Sequence, residues 1–185
     1  MTLESADRDR RHELAEIFSD PLAFRRWYEE AVRVVYRYLY PRCAGDASLA
    51  EELTQQTFIQ AIEHRATYGG RASATTWMCT IARHRLADHY RRVDRDERRH
   101  LRLVVREIPA GSIDPVASID DRDAILAALR DLPALQRAAV ILCYLDGLTV
   151  REAAEELDRS ESATESLLSR ARDRLRRTLK ERPDG

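Results

Sequence analysis

The sequence predicts an all-α protein: two small helical domains joined by an extended linker, with a helix-turn-helix as the C-terminal domain. Three observations carry this prediction. Apolar residues recur every three or four positions in several stretches, and no stretch alternates as a β-strand would. Residues 94–119 lose this periodicity, carry many charges and then contain Pro109, Gly111 and Pro115. Two amphipathic stretches near the C-terminus are separated only by the turn from Asp158 to Ser160.

These observations divide the chain of 185 residues into four segments. The length suits two small domains, and 44% hydrophobic with 34% charged residues allows two cores with a charged exterior. Such a composition excludes a wholly disordered chain. We expect an N-terminal extension at residues 1–20, a first domain at 21–93, a linker at 94–119 and a second domain at 120–182.

Three helices are expected in the first domain. The first runs from Leu22 to Tyr40, before Gly45. The second begins at a capping box of Ser48 and Glu51. The third runs from about Ala74 to Arg92. The side chains expected to be buried on the second and third helices are Leu53, Phe58 and Ile62, then Trp77, Ile81, Leu86 and Tyr90.

The second domain opens with a short helix from Asp120 to Asp131. Pro133 suits the first position of the next helix, and Gly147 suits its left-handed end. Thr149 and Glu152 predict another capping box. The last two helices are expected to bury Val150, Ala153, Ala154 and Leu157, then Thr164, Leu168, Ala171 and Leu175.

The net charge of -1 hides a segregation of charge along the chain. Residues 46–64 carry four acidic and no basic residues, and residues 107–158 carry eleven acidic against four basic residues. Residues 65–106 carry eleven basic against four acidic residues, and residues 159–185 carry eight against five. Basic stretches are typical of phosphate binding, whereas acidic stretches repel DNA and suit a basic protein partner. A charged surface without a partner is the alternative interpretation.

Several classes of function lack support in the sequence. No run of about 18 apolar residues is present and the N-terminus is charged, so we expect no membrane span and place the chain in the cytoplasm. The cysteines are widely spaced, which predicts neither a disulfide framework nor a zinc site: Cys43, Cys79 and Cys143. We expect no cofactor and no metal.

An enzyme is one alternative, using His84, Asp88 and His89 or a cysteine. No glycine-rich phosphate loop, HExxH or nucleophile motif supports it. Three groups on one helix also make no pocket that excludes water. We therefore expect no catalytic residue.

Four segments, taken in order, carry a resemblance to a known family. AEELTQQTFIQAIEH (50–64) is similar to the polymerase-binding helix, and TWMCTIARHRLADHYRR (76–92) to the minus-ten promoter helix, of the extracytoplasmic-function (ECF) sigma factors. LRDLPALQRAAVILCYLDGLTVREAAEEL (129–157) and LLSRARDRLRRTL (167–179) resemble the family's minus-thirty-five domain. The resemblance implies a factor that binds core RNA polymerase, directs promoter recognition and melting, and has an anti-sigma factor as partner.

The resemblance also implies binding residues. The side chains expected to contact polymerase are Glu51, Glu52, Gln55 and Gln56. The loop from Tyr68 to Ser73 lies where family members capture a base flipped from the melted strand, and its candidates are Tyr68 and Arg71. Trp77 is assigned to the core, because it shares a helical stripe with Ile81. Further DNA-binding candidates are Arg83, His84, Arg91 and Arg92, and in the last helix Ser160, Ser162, Glu165, Ser166, Ser169 and Arg170.

Two positions depart from the family pattern. His84 stands where many members have Asn, and it can bond a base edge or a phosphate. Glu165 and Leu167 occupy positions often held by Lys and Arg, which weakens phosphate attraction there. Glu165 can accept from cytosine N4, but it also has capping-box spacing with Ser162, and the sequence leaves both roles open.

A stand-alone helix-turn-helix regulator is the second alternative. It would bind an operator without polymerase, and it explains the second half of the chain only. Such regulators need paired half-sites and high intrinsic DNA affinity, whereas this chain is near neutral. Co-elution with core polymerase separates the two interpretations.

Overall fold

The structure is a computed structural model, in which residues 3–103 and 121–180 are described. Within those residues it contains α-helices and helical turns but no strand, so the predicted all-α class is confirmed. The helices are α1 (Leu3–Ser19), α2 (Pro21–Arg42), α3 (Ala47–Glu63), α4 (Ala74–Leu103), α5 (Asp121–Arg130), α6 (Ala134–Val140), α7 (Val150–Leu157) and α8 (Glu161–Lys180). A 3-10 turn (Arg65–Thr67) follows α3, and a π-helical turn (Ile141–Leu145) follows α6.

The chain forms two compact units, Met1–Leu86 and Ala87–Gly185. The expected N-terminal extension holds helix α1, and α4 continues ten residues past the expected domain end at residue 93. Ion pairs one turn apart support this part of α4, including Arg98 to Asp94 at 2.9 Å. The rest of the expected linker, from residue 104, lies outside the described residues.

The first unit has a core between α2 and α3, where Val35, Leu39, Leu53 and Phe58 are almost fully buried. Helix α1 packs on α2 and buries Leu14. Its C-terminal end joins an aromatic cluster whose ring centroids lie 5.4 to 5.8 Å apart, formed by Phe18, Phe24 and Trp27. This aromatic contact fixes the end of α1 to the start of α2.

Helix α3 differs from its prediction at both ends. The expected capping box of Ser48 and Glu51 is wrong, because Asp46 is the N-cap and its carboxylate accepts from the Leu49 backbone N–H at 3.0 Å. Ser48 already lies inside the helix. At the other end, Ile62 was expected in the core but is 39% exposed.

The second unit contains the predicted helix-turn-helix. Thr149 caps α7, and Glu152 bonds back to the Thr149 backbone N–H at 2.8 Å, so this capping box is confirmed. Asp158 ends α7 in the left-handed conformation with φ of 53°, and Gly147 has φ of 71° as expected. Side chains from both helices form the shared core: Ala153, Ala154, Leu157, Thr164, Leu168 and Ala171.

Candidate nucleic-acid interface

The exposed face of α3 is acidic and polar. Glu51, Glu52 and Gln55 are exposed and Gln56 is half-buried, with its amide donating to the Glu52 carboxylate at 2.8 Å. Ile59 lies one turn further along and is 57% exposed. We call the residues from Glu51 to Ile59 on this side the α3 face. The expected polymerase-binding set leaves out Ile59, although it stands four residues after Gln55 and three after Gln56, a spacing that places it on the same side of the helix.

Loop 68–73 connects the 3-10 turn to α4. Tyr68 is only 6% exposed, its hydroxyl donates to the Ala72 carbonyl at 2.5 Å, and its ring centroid lies 5.2 Å from that of Trp77. Burial raises the pKa of the Tyr68 phenol above its ordinary value, which is already well above neutral pH, so the hydroxyl is a neutral donor. Tyr68 thus shapes the loop, and the stacking surface expected of it is covered in this conformation. Arg71 is exposed.

An open cavity of about 810 Å³ lies between α1, loop 68–73 and the start of α4. Three arginines line it, Arg8 and Arg11 from α1 and Arg71 from the loop. Trp77, expected in the core, is half-buried and lines the same cavity. The contribution of α1 has no signal in the sequence, because it depends on a contact between segments some 60 residues apart.

Helix α4 carries four further DNA-binding candidates. Arg83 and Arg91 are half-buried, and His84 and Arg92 are exposed. Arg91 forms an ion pair with Asp88. Among the described residues, no cluster of three or more His, Cys, Asp or Glu side chains is placed to hold a metal ion.

The start of α8 presents exposed polar side chains. Ser160 caps the helix, since its hydroxyl accepts from the Ala163 backbone N–H at 3.2 Å. Ser162 lies inside the helix, so the capping role left open for Glu165 is wrong. Leu167 is buried, which explains why an apolar residue stands there. The exposed side chains are Ser160, Ser162, Glu165, Ser166, Ser169 and Arg170.

Cys143 does not have the environment of a nucleophile. Burial raises the pKa of the Cys143 thiol, which disfavours the reactive thiolate. Cys43 is buried. Over the residues that the structure describes, no helix combines the length and apolar character needed to cross a bilayer.

Two family models match the chain, Sigma-70 region 2 over residues 23–96 and Sigma-70, region 4 over residues 122–175. The ECF RNA polymerase sigma factor BldN of Streptomyces coelicolor is 36% identical over 85% of this chain, and the chain spans 60% of BldN. SigL of Mycobacterium tuberculosis, another ECF sigma factor, is 32% identical over 85% of this chain and 89% of SigL.

A solved structure also matches, the sigma factor RpoE in complex with the anti-sigma factor NepR from Bartonella quintana. The TM-score is 0.51 at 26% identity, covering 85% of this chain and 96% of that chain. The region 2 match begins at residue 23, after α1, and the region 4 match contains the helix-turn-helix. A stand-alone regulator leaves the region 2 match unexplained. The chain therefore belongs to the ECF RNA polymerase sigma factors, which direct RNA polymerase to promoters and are not enzymes.

Proposed function

We propose that this sigma factor divides its function among three surfaces. The α3 face binds core RNA polymerase. Loop 68–73 and the basic side of α4 bind the melted minus-ten element, and the exposed start of α8 binds the minus-thirty-five element in duplex DNA. The observation that carries this proposal is the separation of charge, since the α3 face has no basic residue and the α4 surface carries Arg83, Arg91 and Arg92.

The α8 surface has the chemistry of a major-groove contact. A recognition helix presents its first turns to base edges, and the short polar side chains of Ser162 and Ser166 allow close approach. Arg170 supplies a cation one turn later. Glu165 lies in the second turn of α8 and is exposed, so its carboxylate can accept a hydrogen bond from cytosine N4.

An anti-sigma factor is the further partner that we propose. The Bartonella quintana RpoE in the matching structure is bound to the anti-sigma factor NepR. A protein that covers the α3 face would block polymerase binding, and the exposed Ile59 beside acidic side chains suits a partner with a basic and apolar surface.

We place this chain in the cytoplasm, where core polymerase and promoter DNA are found.

Charge reversal tests the polymerase contact. The double variant Glu51→Lys and Glu52→Lys should weaken binding to core polymerase by about tenfold at low salt, because complementary charge speeds association and like charge opposes it. Titration of labelled protein with core polymerase measures the loss. Glu30→Lys, an exposed change on α2, is the matched control and should bind normally. Undiminished affinity of the double variant, with its helical circular dichroism intact, would exclude the α3 face.

The two DNA surfaces should fail at different steps of initiation. Ser166→Ala and Arg170→Ala should weaken recruitment to duplex promoter DNA, because a base contact is worth about 1 to 3 kcal/mol and a phosphate contact also steepens the salt dependence. Arg71→Ala and Arg83→Ala should spare recruitment and impair strand opening, because they contact unpaired DNA. The template is a promoter recovered by run-off transcription from a pool of genomic fragments.

A template with a preformed bubble separates these steps. It removes part of the unstacking cost, so it should restore activity to the Arg71 and Arg83 variants but not to the Ser166 and Arg170 variants. Permanganate reactivity of thymines reports the opening directly. Tyr68→Ala should behave like Arg71→Ala, because it deforms the loop. Tyr68→Phe removes only the bond to the Ala72 carbonyl, so it should impair strand opening less. If the Arg71 group loses recruitment and the Ser166 group loses only opening, the proposed division is wrong.

A further inference from the structure

We propose that α1 is part of the site that binds the unpaired promoter strand. In this site, Arg10 holds loop 68–73 in place, and Arg8 and Arg11 bind phosphates of the strand beside Arg71. The inference rests on the proposed role of the loop in binding melted DNA. Helix α1 precedes the residues matched by the region 2 family model.

Arg10 connects α1 directly to the loop. Its Nε donates to the Gly70 carbonyl at 2.5 Å, and its guanidinium is held from the other side by the Asp7 carboxylate at 2.7 Å. The backbones of α1 and loop 68–73 also lie close together. A Cβ added at Gly70 would lie 2.0 Å from the Asp7 carbonyl oxygen. The conformation of the loop therefore depends on α1, and Arg10 is a positioning residue.

The cavity beside this contact has the chemistry of a single-strand binding site. Its volume of about 810 Å³ lies within the range of ligand pockets. Proteins bind unpaired strands by combining cations for the phosphates with aromatic rings for the bases. Here Arg8, Arg11 and Arg71 supply the cations, and the half-buried ring of Trp77 supplies an aromatic surface.

Two carboxylates also line the cavity, and their charge is opposite to that of the arginines. Asp7 forms an ion pair with Arg10, which offsets its charge. Glu4 lines the cavity as well, and its negative charge opposes a phosphate in the same space. A phosphate-binding site therefore predicts opposite effects from neutralising Glu4 and from neutralising the arginines.

Packing makes α1 a fixed wall of this cavity. Leu14 is 3% exposed, and the Phe18 ring lies 5.4 Å from Phe24 and 5.7 Å from Trp27. Displacing α1 would expose these apolar side chains to water. The structure thus favours a wall that takes part in binding over a cover that must leave.

The test uses holoenzyme and a fluorescein-labelled fork template with an unpaired minus-ten strand. Arg8→Gln with Arg11→Gln should weaken binding about tenfold and reduce the salt slope by about 0.7 for each lost phosphate contact. Glu4→Gln should strengthen binding. Arg25→Gln is the matched control, an exposed arginine on α2 outside the cavity. Arg71→Gln should also reduce the salt slope, and it tests the loop independently of α1.

The outcomes separate this inference from the proposed function. An unchanged salt slope in the Arg8 and Arg11 variant, beside a reduced slope for Arg71→Gln, would overturn the role of α1 and leave the loop assignment standing. Unchanged binding by Arg71→Gln would overturn the loop assignment. Tighter binding by the Arg8 and Arg11 variant would mean that α1 covers the site, which also overturns the proposal.

Arg10 has its own test, which separates positioning from stability. Arg10→Ala should slow strand opening on a closed template about tenfold or more, since a misplaced loop loses its contacts to the flipped base. Arg10→Lys keeps a cationic donor for the Gly70 carbonyl and should restore part of the rate. Equal loss in both variants, or equal opening in all three proteins, contradicts a positioning role. Thermal unfolding, followed in parallel, shows whether α1 remains docked.

Discussion

At the scale of single residues, Gly70 carries the strongest conformational requirement in the first unit. It has φ of 74°, a region that L side chains rarely adopt, and an added Cβ would overlap the Asp7 carbonyl. Gly70→Ala should destabilise the first unit by about 1 to 3 kcal/mol, because strain and steric overlap add. Both tryptophans, Trp27 and Trp77, lie in this unit, so urea unfolding followed by tryptophan fluorescence measures its stability.

The neighbouring glycine supplies the control for this prediction. A Cβ at Gly69 would meet only the Arg71 side chain at 4.0 Å, so Gly69→Ala should change stability by less than about 1 kcal/mol. Similar urea midpoints for the two variants would show that α1 does not contact the loop as closely as described.

The sequence predicts single residues well where the signal is local. Thr149 and Glu152 are three residues apart, and the capping box follows from that spacing alone. Tyr68 could not be placed in this way, because its burial depends on Trp77 and on α1. Glu165 is an intermediate case, because its spacing from Ser162 fits a cap, but Ser160 supplies the cap instead.

At the scale of elements, the cap of α7 sets the geometry of the helix-turn-helix. Thr149→Ala removes the acceptor for the Glu152 backbone N–H and should destabilise the second unit by about 1 kcal/mol. Thr149→Ser should retain most of the stability. Because neither tryptophan lies in this unit, far-UV circular dichroism during urea unfolding is the measurement. Arg151→Ala, which removes an exposed ion pair with Glu155, should have little effect.

The outcome at α7 has a clear alternative. If Arg151→Ala costs as much as Thr149→Ala, the exposed ion pair contributes as much to the stability of α7 as the cap does. In either case the core side chains Ala153 and Leu157 remain buried, so the helix should still form.

Element boundaries were less predictable than element types. Periodicity identified the helices, but α3 begins at an Asp46 cap that competes with the equally plausible Ser48. Helix α4 extends to Leu103 although apolar periodicity ends earlier, since charged side chains can continue an exposed helix through pairs such as Arg98 with Asp94. The sequence predicts only an extension where helix α1 forms, because the place of this helix depends on its contacts with α2 and loop 68–73.

At the scale of the whole molecule, charge is divided between surfaces while the total stays near zero. The net charge of -1 gives the free chain little general attraction to DNA, although residues 65–106 and 159–185 are basic. A specific duplex-binding protein usually combines a large basic surface with paired recognition elements. This chain has one helix-turn-helix among its described residues, so we expect polymerase binding to supply the remaining affinity.

The free chain should therefore bind its promoter poorly and gain specificity only within holoenzyme. A gel-shift series at physiological salt, with the full chain alone and with core polymerase, measures this difference on the same duplex. We expect no specific complex from the free chain at about 10 nM, a concentration at which specific DNA-binding proteins typically bind their sites. The Glu51 and Glu52 charge-reversal variant should form less of the holoenzyme complex, while its weak intrinsic DNA binding stays unchanged or increases, because it removes negative charge. Sequence-specific binding by the free chain at nanomolar concentration would instead mean that the helix-turn-helix selects its site without polymerase.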